Sequence, residues 1–342
     1  MKVKFWGVRG SIPSTNYSTD IKWKLEQILA SAMNVPLADH RRVEEFIAGL
    51  PYHLIHPVGG NTSCVEVTEG PSRVILDAGS GLRQLGLEMA PEDSSFSETD
   101  LYQTMENGHG RDSRAEKPKA APGQNITIML SHTHWDHIQG FPFFAPAYGL
   151  DNRISIYGGN GDNLTAAFSL QQSAPEMFPI DLYDMGAELS FHTFPADGLT
   201  VGELRVESLP LPHPGGCLAY RVNSGDKSVV YATDYEFPDA NDPRADRFIE
   251  FIAGADVLIS DTQYTYLESV AREGWGHSTS FGAMDLAMRA EVGSFFLFHH
   301  DPEHNDAKLF DNLDKTRAYH VMMSDKGSMR IELASEGLSI NL

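Results

Sequence analysis

The chain has 342 residues, enough for one large α/β domain or two smaller ones around a packed core. Its 26 Lys and Arg against 47 Asp and Glu give a net charge of −21, a field that repels polyanions and disfavours extensive contact with tRNA or duplex DNA. A small anionic substrate stays open, because bound metal ions reverse the local charge, whereas no apolar run approaches the roughly 18 residues of a membrane span.

Residues 2–8 read as a first strand entering a loop with Gly7, Gly10 and Pro13. This start lacks the basic and apolar regions of a signal peptide. With only Cys64 and Cys217 present, free thiols in a reducing cytoplasm are the expectation. Residues 20–50 carry helical spacing in two pieces divided by Pro36: Ile21, Leu25, Ile28, Leu29 and Ala32, then Val43, Phe46, Ile47 and Leu50. Residues 63–68 and 73–77 read as paired strands, and Asp77-Ala78-Gly79-Ser80-Gly81 turns into a helix over 82–89. Residues 91–124 are polar and read as a surface insertion, an inert loop in preference to a substrate lid.

Asn125-Ile126-Thr127-Ile128-Met129-Leu130 is β-branched and apolar, so it predicts a buried strand. At its end stands Ser131-His132-Thr133-His134-Trp135-Asp136-His137, three imidazoles and a carboxylate in six consecutive residues. His132 and His134 are two apart, which on extended backbone sends them to one side; Asp136 and His137 can face a second point where the chain bends. Neutral imidazole and carboxylate suit zinc and similar divalent ions. The aromatics Phe141, Phe143, Phe144 and Tyr148 follow and read as core before they read as a base-stacking patch.

Later elements are expected as strands at 153–157, 188–194, 203–210, 217–222, 228–232, 255–260, 293–298, 320–323 and 328–333. Helices are expected at 160–180, 244–253, about 280–290 with Ser278 or Thr279 as cap, and 306–318. This pattern fits two sheets face to face with helices outside. Four segments bring further ligand types to strand ends: His213 after 203–210, Asp234 after 228–232, His277 before the helix at 280, and His299 with His300 after 293–298. Each is weak alone; together they count, because strand ends of an α/β sheet gather at one edge. Asp256 and Asp261 read as structural acids.

The ordered motifs resemble the metallo-β-lactamase superfamily from Val3 to about Pro302. His132-Thr133-His134-Trp135-Asp136-His137 matches its His-x-His-x-Asp-His motif, Asp77 its strand-turn acid, and His213, Asp234 and His299 follow in order. Gly7-Val8-Arg9-Gly10-Ser11-Ile12-Pro13, Gly276-His277-Ser278-Thr279 and Leu297-Phe298-His299 with Pro302 look like the phosphodiesterase branch, which holds the tRNA 3′-processing endonucleases and the cyclic phosphodiesterases. The resemblance implies one αββα four-layer domain over 1–342, with insertions at about 17–57 and 91–124. It implies one metal on His132, His134 and His213, a second on Asp136, His137 and His299, and Asp234 bridging them. Asp77 would orient these ligands. His300 beside His299 leaves open which binds, and position within the motif favours His299. Zinc is the expected metal, with manganese and iron tolerated by the same ligands. A homodimer is compatible with the family.

The expected reaction is hydrolysis of a small or cyclic, nucleotide-like phosphodiester by hydroxide generated at the metals. Asp136 and His277 are the catalytic candidates, the latter as general acid or phosphate donor. Arg9, Ser278 and Thr279 are candidate substrate contacts, with a surface position equally open for Arg9. An acidic chain without a Gly/Pro-rich arm, and with an insertion at 17–57, argues against tRNA. Alternatives are a hydrolase of esters, thioesters or lactones and a metal-containing binding protein. A redox di-iron module would carry an acid in place of His134.

Overall fold

The computed structural model describes residues 1–15, 18–89, 123–237, 242–324 and 329–342. Residues 91–122 of the expected second insertion lie outside them. Two seven-stranded sheets stand among the described residues. The first is built from β1 (Lys2–Gly7), β2 (Cys64–Glu69), β3 (Ser72–Leu76), β4 (Asn125–Met129), β5 (Arg153–Gly158) and β6 (Glu188–Thr193). The second is built from β7 (Leu199–Val201), β8 (Leu204–Leu211), β9 (Cys217–Ser224), β10 (Lys227–Ala232), β11 (Val257–Asp261), β12 (Ser294–Phe298) and β13 (Arg330–Leu333). The chain then returns, and β14 (Ser339–Asn341) pairs antiparallel with β1 at the edge of the first sheet.

Both sheets are mixed in the same manner. Pairs β1–β2 and β2–β3 are antiparallel, and β3 to β6 run parallel. Pairs β7–β8, β8–β9 and β9–β10 are antiparallel, and β10 to β13 run parallel. The parallel strands therefore deliver their carboxyl ends to one edge of each sheet, which is where ligands bind in open α/β sheets.

Alternation along each strand divides the first sheet's side chains between two cores. Val3, Phe5, Val65, Val67, Val74 and Leu76 face the second sheet, while Trp6, Ile75, Ile126, Ile128, Ile154 and Ile156 face outward. The Phe5 ring lies 5.6 Å from Phe296 and 6.3 Å from Phe298, which knits the sheets at the middle of the sandwich. On the outer face, Leu82 and Leu85 of the helix Gly81–Met89 and Leu164 and Phe168 of the helix Gly161–Gln171 cover the first sheet. Phe141 and Phe144 are fully buried in that layer, and half-exposed Phe143 packs edge-on against Phe178, so this aromatic group is mostly core.

Two expectations need correction. The helix expected at 160–180 ends at Gln171, and a cis Ala174–Pro175 bond lies in the following non-helical chain. The strand expected at 320–323 is the last turn of the helix Asp306–Met323. Val321, Met322 and Met323 suggest a strand by composition, but Leu309, Leu313, Thr316 and His320 continue the buried stripe of the helix. The segment expected as the first insertion forms helices Ser18–Ala32, His40–Ala48 and Tyr52–Ile55. It docks on Asp306–Met323: Trp23 stacks on Phe310 at 6.1 Å, Lys24 pairs with Asp306 at 2.6 Å, and Asp20 accepts the Asp306 backbone N–H at 2.9 Å.

Candidate metal centre

The structure gathers all seven expected ligands. His132 and His134 follow β4, and the single 3₁₀ turn Trp135–His137 swings Asp136 and His137 beneath them. His213, Asp234 and His299 arrive from beyond β8, β10 and β12 of the other sheet. His132, His134, His213 and Asp234 offer donor atoms within 4.8 Å of one another, and so do Asp136, His137 and His299. Asp234 lies between the groups. Its Oδ2 is 3.6 Å from His132 Nε2 and 3.8 Å from His213 Nε2, while its Oδ1 is 3.4 Å from His137 Nε2 and 3.2 Å from His299 Nε2. The 3.1 Å separation of His134 Nδ1 and His213 Nε2 closes the first group.

The donor set fits divalent metal. Buried polar atoms are normally hydrogen-bonded, yet His132 Nε2 and His137 Nε2 have no hydrogen-bond partner. Both belong to imidazoles turned toward Asp234. Burial pulls the His132 imidazole well below its ordinary value, helped by the neighbouring His137, so it presents a neutral donor. Burial opposes ionisation of Asp136 and Asp234, but the surrounding histidines hold both carboxyls well below the usual range. Burial lowers the His137 pKa, but Asp136, Asp234 and Asp77 outweigh it and hold the imidazole well above its ordinary value, so a divalent cation taking His137 would displace a proton.

Supporting groups fix these orientations. Asp77, fully buried at the end of β3, accepts from Ser131 N, Ser131 Oγ, His137 Nδ1 and Tyr231 Oη, each at 2.7 Å. That turns His137 Nε2 toward the site. Tyr231→Phe should lower stability by about 1.5–3 kcal/mol, the worth of a hydrogen bond to a charged group. Urea unfolding of the variant with an unchanged midpoint would show that Asp77 does not need this partner. Asp77, Asp234 and His299 all have positive φ, 63°, 52° and 60°, a sparsely populated conformation for non-glycine residues that clusters at functional sites.

Two glycines make room for ligand rings. A Cβ at Gly10 would lie 2.5 Å from the His299 ring, and one at Gly276 would lie 2.3 Å from His213 Nδ1. Gly276 also has φ +88° and accepts from His213 Nδ1 through its carbonyl at 2.9 Å. Gly276→Ala should therefore tilt His213 and weaken metal binding about 10- to 100-fold, as loss of an orienting partner does. Competition with a chromophoric chelator reads the change, and an unaltered affinity would rule out this constraint.

His277 joins the cluster through an acid first read as structural. Asp261, fully buried at the end of β11, takes His277 Nδ1 at 2.7 Å, the Asp234 N–H at 3.1 Å, the Gln263 N–H at 2.9 Å and the Ser278 N–H at 3.3 Å. Asp261, expected as a structural acid, thus lies in a group of donor atoms with Asp234, His277 and His299. Asp256, by contrast, accepts from Lys227 and the Ser228 N–H far from the ligands. Burial lowers the His277 pKa, but Asp261 outweighs it by charge and hydrogen bond, and the imidazole rises to about 9. His277 lies in the turn before the helix Ser280–Arg289, not in its first turn.

The three expected substrate contacts turn elsewhere. Arg9 is 3% exposed; its guanidinium donates to the carbonyls of Gly59, Asp301 and His304 and lies 3.8 Å from Asp306, so it ties the glycine loop to the second half. Ser278 Oγ donates to the Tyr235 carbonyl, and Thr279 Oγ1 caps the helix by accepting from Gly282 N. The glycine loop contributes a backbone donor instead: Ser11 N–H reaches Asp136 Oδ2 at 2.7 Å. His300 is separated from the cluster, its Nε2 on the Ala334 carbonyl at 2.9 Å, and burial lowers its pKa to about 3. His299 Nε2 is 3.2 Å from Asp136 Oδ2 and so faces the centre.

Comparison with known proteins agrees with this geometry. Residues 73–300 match the model of the beta-lactamase superfamily domain. A ribonuclease Z from Picrophilus torridus is 26% identical over 235 residues, covering 55% of this chain and 73% of that protein. The metallo-beta-lactamase fold protein YhfI from Bacillus subtilis superposes with a TM-score of 0.58 at 20% identity, over 99% of this chain and 98% of its own. A diphosphatase of the PhnP family superposes with a TM-score of 0.55 at 15% identity, over 100% and 97%. With paired sheets, strand-end ligands and ribonuclease Z and metallo-hydrolase relatives, the chain belongs to the beta-lactamase superfamily and is a metal-dependent hydrolase.

Proposed function

We propose that this protein hydrolyses a small or cyclic, nucleotide-like phosphodiester at a dinuclear centre, with zinc as the working metal. The observation that carries the proposal is the His277–Asp261 pair beside Asp234: an imidazole 2.7 Å from a buried carboxylate and 4.0 Å from the carboxylate shared by the two ligand groups. When bound, two divalent cations would neutralise the phosphate oxygens and make water acidic enough to attack near neutral pH.

The chain's own groups supply the rest. Asp234, whose two oxygens face both groups, would be shared between the ions, and Asp136, His137 and His299 would hold the second. Ser11 N–H steadies Asp136, and Asp77 steadies His137. Asp261 holds His277 Nδ1, which leaves Nε2 to carry a proton to the leaving oxygen. The His277 ring is 11% exposed and stacks on His299 at 5.1 Å, so it is screened from bulk water without being cut off from a ligand.

The relatives named ribonuclease Z cut RNA by name, but a chain of charge −21 is poorly suited to a long polyanion. That favours a small substrate. Cys64 and Cys217 are buried free thiols, which supports work in the reducing cytoplasm, and no described helix is long and apolar enough to cross a membrane.

The test is hydrolysis of bis(p-nitrophenyl) phosphate by protein reconstituted with zinc or manganese. Turnover that tracks metal content supports the proposal. Full metal loading without turnover, combined with hydrolysis of a thioester or lactone, overturns it.

A further inference from the structure

We infer that Trp275 and Arg272 form a platform for the planar ring of the substrate, so that the enzyme favours phosphodiesters carrying a nucleobase over those that do not. The inference deepens the phosphodiesterase reading and rests on it for the phosphate end of the ligand.

Three observations place the platform. The first is its position. Trp275 immediately precedes Gly276, whose carbonyl receives His213 Nδ1, and His277 follows. The indole is thus one residue from backbone that touches a candidate ligand.

The second is rigidity. The Glu236 carboxylate accepts the N–H of Gly274 at 3.0 Å and of Gly276 at 2.8 Å, the residues on either side of Trp275. The Trp275 N–H itself donates to the Arg272 carbonyl at 3.1 Å. Gly274 and Gly276 both have positive φ, as the tight path requires. A loop held this firmly nevertheless leaves Trp275 60% exposed. Tryptophan has a large apolar surface to bury, and this loop leaves much of it in water.

The third is what lies beneath. The Arg272 guanidinium carbon is 6.0 Å from the centre of the Trp275 ring and 4.9 Å from that of Tyr264. Tyr264 is 3% exposed, and its ring meets His277 edge-on at 5.5 Å. From His277 outward the order is therefore phenol, guanidinium, indole. Arg272 pairs only loosely with Glu303, at 3.9 Å with that carboxylate 81% exposed. A cation beside an indole suits a ligand that is both planar and anionic, since the ring can stack while the guanidinium meets an acceptor on its edge or phosphate.

The experiment is isothermal titration of zinc-loaded protein with adenosine 5′-monophosphate and with ribose 5-phosphate, which share the phosphate and sugar and differ in the base. Wild type should bind the nucleotide about five- to a hundredfold more tightly, the range for one base on one aromatic face. Trp275→Ala should bring the two affinities within about twofold of each other, while Trp275→Phe should keep most of the preference. Ribose 5-phosphate affinity and zinc content should be unchanged in both variants, which separates loss of the platform from loss of the fold. Equal binding of the two ligands by wild type, no binding of either, or a preference that survives Trp275→Ala overturns the inference. Hydrolysis of bis(p-nitrophenyl) phosphate is measured alongside. Turnover without base preference leaves the phosphodiesterase reading standing and removes the platform; base preference without turnover does the reverse.

Discussion

Asp234→Ala protein should turn over bis(p-nitrophenyl) phosphate at least about a thousandfold more slowly than wild type and should retain less metal after dialysis. The magnitude follows from geometry. Among the described residues, Asp234 is the carboxylate whose two oxygens face different groups of imidazoles, His132 and His213 on one side, His137 and His299 on the other. A metal pair contributes several kcal/mol of charge stabilisation to displacement at phosphorus, and each 1.36 kcal/mol is tenfold in rate. The isosteric Asp234→Asn change serves as the folding control, because it keeps the volume of a fully buried side chain at positive φ. Metal analysis and initial rates on the same preparation decide the matter. Two ions per chain with wild-type turnover in the alanine variant would refute the bridging role.

His277→Ala should act selectively. A general acid matters in proportion to how badly the leaving group needs a proton. With p-nitrophenolate, a stable anion, the loss should stay within about tenfold; with an alkoxide leaving group, such as the sugar oxygen of a cyclic nucleotide, it should reach about 10²- to 10⁴-fold. Asp261→Asn should give an intermediate version of the same pattern, since it keeps the ring in place but removes the charge that raises its pKa to about 9. Equal losses for the two leaving groups would make His277 a positioning residue rather than a proton donor.

Much of this site is legible in the sequence because its residues stand where strands stop. An apolar β-branched run announces its own end, and an acid or imidazole there projects from a sheet edge whatever the rest of the fold. That logic found His132 to His137, His213, Asp234 and His299. It also covered Asp261, which ends the buried strand Val257–Asp261, but a single acid at a strand end carries no sign of what it holds. Its role emerges from the return of the chain 16 residues later with His277, a tertiary meeting without local signature. Arg9, Ser278 and Thr279, expected as substrate contacts, are engaged elsewhere in the structure for a related reason. Motif position brought them near the site, but local geometry aimed their side chains at nearby carbonyls and a helix cap. The strand expected at 320–323 shows composition overridden by a buried helical stripe.

The division of ligands between the two sheets has a thermodynamic consequence. Four of the seven come from the β4 end in the first half, and three come from β8, β10 and β12 in the second. Occupancy of the centre therefore acts as a non-covalent cross-link between halves that are far apart in the chain. Any cation that binds the assembled pair and not the separated halves raises the free energy of separating them by RT ln(1 + [M]/Kd), or about 4 kcal/mol at a thousandfold excess over Kd. Chelation should be felt first as opening along the seam: faster amide exchange at the strand ends around Ser131 and Ala232, with slower change at the Phe5–Phe296 contact in mid-sandwich. Metal supply would then set the cellular lifetime of the protein as well as its rate, since the half-opened sandwich is the form a protease can reach.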